Sequence, residues 1–160
     1  MTREEYQALY GLWRGDDVDK ASKLMQLAGE VYDLKNANQE TVTDSFSVTS
    51  DDSGKTYNVG VDAKVITLPL ITVAKLGMKF RFRNTGADGA VALTISPNAA
   101  DGVNGTVANA AADSVASGVV NKDLVNTKAT ANNMDWIEIE AVAVTKWAIT
   151  GGVGIWASEA

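Results

Sequence analysis

The chain has 160 residues, 46% of them hydrophobic, a net charge of −6, and neither cysteine nor histidine. That length and apolar content suit one globular domain with a real core and exclude a disordered chain. The missing residue types exclude thiol nucleophiles, disulfides, Ser-His triads and the usual zinc centres. The acidic balance speaks against a binder of phosphate backbones.

The N-terminus reads MTREEYQALYGLWRGDD, polar and amphipathic, unlike a secretory signal. Tyr6, Leu9, Tyr10 and Trp13 recur at i, i+3, i+4 and i+7, one face of a helix. Gly15 can end that helix, and Asp16 or Asp17 can cap a second one. Leu24, Leu27, Ala28, Val31 and Leu34 continue at helical spacing. Residues 1–40 are therefore expected to form an N-terminal helical segment. Its aromatic face, Tyr6, Leu9, Tyr10 and Trp13, is the candidate partner-binding surface; packing on the chain's own β-core is the other reading of the same pattern.

From Thr41 the apolar period changes to two. Val42, Phe46 and Val48 alternate with polar residues, and Asp44 breaks the face. Tyr57, Val59 and Val61 follow, then Met78, Phe80 and Phe82 against Lys79, Arg81 and Arg83. Val91, Leu93 and Ile95, and later Ile137, Ile139 and Ala141, repeat the pattern. Strict alternation marks strands with one buried and one wet face, as in antiparallel sheets. DDSG, NTGADG and TGG read as turns between them. Pro69 in TLPLITVAKLG excludes a central strand and predicts a short helical or irregular crossover. Residues 41–160 are thus expected to be mainly β, an antiparallel β-sandwich or small β-barrel.

Residues 98–133 are rich in Ala, Asn, Asp, Gly and Ser. Short strands are predicted near Val115–Val120 and Leu124–Thr130, with an excursion around Thr106–Ser114. Asp88, Asn98, Asp101 and Asn104 sit among glycines here, which raises a calcium loop as a reading. DGVNGTVANAAA fails as an EF-hand, because Val103 stands at a ligand position and Ala112 where the closing Glu belongs. The Asp-Gly and Asn-Gly pairs are instead expected to supply tight turns. No metal and no cofactor are expected.

Glu138 and Glu140 are i, i+2 on one strand face, the spacing of Arg81 and Arg83. A cross-strand charge ladder is expected rather than a catalytic carboxylate pair. No phosphate-cradling loop occurs, and GGVG lacks the helix a dinucleotide site needs. Trp136 falls on a polar strand face and could stack on a sugar, whereas Trp147 and Trp156 are expected in the core or at an interface. The chain is not expected to be an enzyme.

SGKTYNVGVDAKVITLP, GMKFRFRNTGADGAVALTISPNAADGVNG, NKDLVNTKATANNMDWIEIEAV and the ending GIWASEA resemble small β-rich virion proteins of tailed bacteriophages, most of all capsid decoration (cement) proteins. The resemblance covers roughly residues 50–160 and carries no catalytic motif. It implies a structural protein, a homotrimer bound to the major capsid protein on the outer shell of the virion, made in the host cytoplasm, with no nucleic-acid or membrane partner. The alternative it leaves is a receptor- or carbohydrate-binding module of a tail fibre or spike. A polysaccharide hydrolase is the third reading.

Overall fold

The structure, a computed structural model, describes residues 38–107 and 114–159. Its strands are β1 (Gln39–Val42), β2 (Phe46–Ser47), β3 (Thr56–Val59), β4 (Lys64–Thr67), β5 (Lys79–Asn84) and β6 (Leu93–Ser96). They continue as β7 (Gly102–Val107), β8 (Ser114–Val120), β9 (Leu124–Asn126), β10 (Trp136–Ala143), β11 (Lys146–Val153) and β12 (Trp156–Ser158). One sheet has the order β1-β3-β5-β10-β11-β7-β8, the other β12-β9-β6-β4-β2. The protein is mainly β, as the alternation predicts. The expected N-terminal helices, with Tyr6, Leu9, Tyr10 and Trp13, lie outside the described residues; Gln39 and Glu40, expected in that segment, belong to β1.

The expectation of antiparallel sheets is corrected. Among the described residues five of the ten strand pairings are parallel: β1–β3, β3–β5, β2–β4, β4–β6 and β7–β11. The reason lies in the route of the chain. From β1 to β6 it alternates between the sheets, up one and back along the other. Among these six, the strands of one sheet then point the same way, which accounts for four of the five parallel pairs. Alternation of apolar residues reports a wet and a dry face, not the direction of a neighbour.

Three local expectations also change. Residues 42–48 do not form one strand: β1 and β2 lie in different sheets, and the chain crosses at Asp44, which lies 3.6 Å from Lys64 Nζ. Ser45 Oγ accepts the Val65 N–H there. TGG is not a turn but the middle of β11. Its glycines make room, since a Cβ on Gly151 would stand 3.2 Å from the Trp136 ring. Asp101-Gly102 and Asn104-Gly105 are not tight turns either, because Gly102–Val107 is β7. Gly102 is required by contact: a Cβ there would meet the Gly118 carbonyl oxygen at 2.4 Å. The crossover after Pro69 is as expected, with a 3-10 turn at Val73–Lys75. β8 and β9 fall where short strands are predicted. Of the expected excursion, Thr106 and Val107 belong to β7 and Ser114 to β8, while residues 108–113 lie outside the described residues.

Both sheets feed one core. Tyr57, Phe80, Phe82, Ile137, Ile139 and Trp147 come from the larger sheet; Ile66, Leu93, Ile95, Leu124 and Trp156 come from the smaller. Tyr57 stacks on Phe82 at 5.7 Å between centroids, and Phe80 meets Trp147 at 5.9 Å. Each such burial contributes about 1.5–3 kcal/mol. At one end the core closes on polar groups. Asn84 of β5 donates to Asn126 Oδ1 of β9 at 2.8 Å and to the Val91 carbonyl at 3.0 Å. Asn126 donates in turn to Asp135 Oδ2 at 3.0 Å and to the Ile155 carbonyl at 3.1 Å. All three side chains are buried.

Phe82→Ala is expected to cost about 3–5 kcal/mol in denaturant melts. Asn126→Ala leaves Asn84 and Asp135 each short of a partner, at about 1–3 kcal/mol for each group. A loss below about 1 kcal/mol for either variant contradicts the packing described.

Candidate functional site

The outer face of the larger sheet gathers the charges that the sequence places at strand spacing. β5 and β10 pair so that Arg81 faces Glu138, Lys79 faces Glu140 and Arg83 faces Trp136. The ladder expected between Arg81, Arg83, Glu138 and Glu140 therefore forms one residue pair out of step. Arg81 Nη2 donates to Glu138 Oε2 at 2.8 Å, and Lys79 Nζ lies 3.2 Å from Glu140 Oε2 and 3.7 Å from Glu138 Oε1. Thr150 of β11 donates to Glu138 Oε1 at 3.1 Å. Arg83 donates instead to Asn58 Oδ1 of β3 at 3.3 Å. The phase of Lys79 in KFRFR was the signal for its part in the ladder. Asn58 and Thr150 had no such signal, because their neighbours are set by the sheet order.

The electrostatics of this face are those of closed ion pairs. Burial pushes the Glu138 carboxyl up, but hydrogen bonds from Arg81 and Thr150 and the charges of Arg81 and Lys79 outweigh it, so its pKa lies below the ordinary range. A general acid needs the opposite shift. Hydrogen bonding to Glu140 raises the Lys79 pKa. The Arg81 guanidinium carbon sits 4.4 Å from the centre of the Trp136 ring. Trp136 is on the polar face as predicted, yet that side of its ring is covered by a cation rather than open to a sugar. Trp147 and Trp156 are core residues.

A hollow of about 270 Å³ adjoins the ladder, lined by Gln39, Lys55, Thr56, Lys79, Arg81 and Glu138 among others. Lys55 at its rim bonds Asp52 Oδ1 at 2.7 Å and Glu40 Oε2 at 3.3 Å. The bond from Lys55 draws the Asp52 pKa down to about 2, against an opposing push from burial. The lining is polar and its cations already hold carboxylates. It suits a small polar group, and the carboxylate that accepts the Thr150 hydroxyl there, Glu138, is held by Arg81 as well.

The calcium reading of Asp88, Asn98, Asp101 and Asn104 finds no common site. Asp88 Oδ1 accepts the Asn133 N–H at 2.7 Å. Asn98 Oδ1 accepts the Ala100 N–H at 3.2 Å. Asp101 is fully buried, and its Oδ2 accepts the Ile71 N–H at 3.0 Å. Asn104 lies in β7 opposite Ser117. Among the described residues no three carboxylates cluster as a cation would need. Sequence reasoning treated Asp101 as turn chemistry and missed its role. It ties three segments, since its backbone carbonyl also accepts the Asn121 N–H at 3.0 Å and its N–H donates to the Asn98 carbonyl at 2.7 Å.

The pair at the rim predicts an acid limb of stability. The folded pKa of Asp52, about 2, lies below its ordinary 3.8. Its stabilising contribution is therefore present above about pH 4 and is lost as pH falls through about 2. Asp52→Asn is expected to flatten the melting temperature against pH between those values. An unchanged slope means that other carboxylates carry the acid transition.

No protein-family model matches the chain, and no curated protein matches it at a significant level.

Proposed function

We propose that the chain is a structural virion protein of a tailed bacteriophage, a decoration (cement) protein. It binds the major capsid protein on the outer surface of the shell and stabilises the shell against internal pressure. The two sheets are read as the layers of a β-sandwich carrying that load, and a homotrimer is the expected assembly. The observation that carries the reading is the use of the polar groups. The buried amides and carboxylates of Asn84, Asn126, Asp135 and Asp101 tie strands and loops together, and the outward charges of β5 and β10 bond one another. Such a unit is built to be rigid and to present a surface. The resemblance to virion β-proteins points the same way. Among the described residues no helix is long and apolar enough to cross a membrane.

The alternative is a receptor- or carbohydrate-binding module of a tail fibre or spike. The polar hollow beside Lys79 and Arg81 favours it. The Arg81 guanidinium over Trp136 weighs against it, because that ring face is already used.

Cryo-electron microscopy of the phage particle that encodes the chain tests the proposal. The expected result is density for it at regular positions on the outer shell, and shells lacking it that rupture at lower temperature. Sedimentation equilibrium of the isolated protein is expected to give a trimer or another closed oligomer. Density at the tail tip, with glycan binding in solution, supports the alternative instead.

A further inference from the structure

Among the described residues, seven of the eleven large apolar side chains that stand exposed gather at one end of the β-unit. The crossover after β4 supplies Leu70, Val73 and Leu76, with Val73 75% exposed. The β10–β11 hairpin tip supplies Val142 and Val144, and the end of β8 supplies Val119 and Val120. Backbone bonds hold these segments side by side. The Gly77 N–H donates to the Ala141 carbonyl at 2.8 Å, and the Gly102 N–H to the Thr145 carbonyl at 2.9 Å. Gly102 pairs with Val120 across β7 and β8. Buried Asp101 clamps the same end, holding the Ile71 and Asn121 amides at 3.0 Å each.

We infer that this apolar end is the surface that seats on the capsid, against an apolar patch of the shell protein rimmed by carboxylates. The inference rests on the decoration-protein reading and names its contact surface. Charge sets the chemistry of the partner. Lys75 follows Val73 in the crossover and Lys146 follows Val144 in the hairpin. Neither forms an ion pair among the described residues, whereas Lys55, Lys64, Lys79 and Lys128 all do. Asp123 and Glu159 lie on the smaller-sheet side of this end, joined by the Glu159 N–H to the Asp123 carbonyl. The larger-sheet side, which holds the hairpin and β8, thus offers cations around valines.

A second copy of the chain fits less well. A two-fold contact end to end would set Lys75 and Lys146 against themselves. Area argues the same way: seven part-exposed side chains offer a few hundred Å², below the roughly 800 Å² per partner of a stable free pair. A surface of that size holds when several copies bind a repeating lattice together. A lipid surface is also a poor fit, because the set contains no Trp or Tyr, the residues enriched at membrane interfaces.

The test compares Val73→Asp/Val144→Asp, and separately Lys75→Glu/Lys146→Glu, with the full-length wild-type chain. Val61→Asp, outside the described end and 40% exposed, is the control. Each protein is titrated onto shells assembled from the shell protein of the same phage. Wild type and control are expected to bind within about twofold of each other, and both double variants to bind about tenfold or more weakly, with melting temperatures near wild type. Wild-type binding retained by the folded valine variant overturns the inference and leaves the decoration reading standing. Failure of the wild type itself to bind shells overturns both. Wild-type binding to phosphatidylglycerol vesicles that the valine variant loses, with shell binding intact, reassigns the end to lipid. A change of sedimentation with shell binding intact reassigns it to a subunit contact.

Discussion

Three buried side chains join the two sheets: Asn84 in β5, Asn126 in β9 and Asp135 just before β10. The smaller sheet needs this connection. Its strands are only two to four residues long, so each ladder contributes few backbone bonds. Short strands slip easily, and a slip of one residue turns every side chain to the wrong face. Apolar packing opposes a one-residue slip but hardly resists one of two residues, which keeps Ile66, Leu93, Ile95 and Leu124 on the core face where they can trade contacts. Directional hydrogen bonds resist both, since a displaced amide loses its partner inside the core. The backbone joins in: the Asn84 N–H donates to the Asp135 carbonyl, and the Met134 N–H to the Asn84 carbonyl. Gly154, with φ +103, lets the chain pass against the Asp135 carboxylate, where a Cβ would come within 2.3 Å of its Cγ.

At the opposite end Asp101 performs the corresponding task for loops. Burying a carboxylate is costly, and backbone amides offset that cost only where they are aimed at it. Asp101 receives the Ile71 amide on one oxygen. The crossover, the β6–β7 loop and the β8–β9 turn are thereby fixed relative to one another. Exposed valines and leucines on such loops cannot fold inward to escape water. A loosely held loop would hide them; a clamped one displays them. The buried acid and the exposed apolar end are two sides of one arrangement.

Much of the β-unit was legible in the sequence. Phe80 and Phe82 inward, Arg81 and Arg83 outward, and the break at Pro69 all follow from period and proline chemistry. Strand direction was not legible, because it depends on the chain changing sheets after each strand from β1 to β6, and no local pattern encodes that. Glycine misled twice, at Gly102 and Gly151. Both stand inside strands, Gly102 where a backbone carbonyl leaves no room for a Cβ and Gly151 where the Trp136 ring leaves little, and sequence alone cannot tell that use from a turn. Asn126 and Asp135 sat in a stretch rich in polar residues, so nothing distinguished the buried ones from the wet ones. The charge ladder was legible as a face but not as a register, since pairing Lys79 with Glu140 requires knowing where β10 meets β5.

The division of polar groups bears on what the surface can do. On the outer face of β5 and β10 each carboxylate has a cation, and one of the cations covers an aromatic ring. Such a face is nearly neutral over short distances and well solvated, so it attracts little of either sign. Ion pairs exposed to water add little to stability, at about 0–1 kcal/mol each. Their larger effect is to remove charge and aromatic surface from contact with other molecules. The apolar end differs in both respects, with valines uncovered and Lys75 and Lys146 left without carboxylates among the described residues. Among the described residues, uncovered valines and lysines without carboxylates therefore coincide at that end. A unit that must sit in one orientation on a repeating surface needs that asymmetry, because equal stickiness on every side would permit many poses and reward none of them.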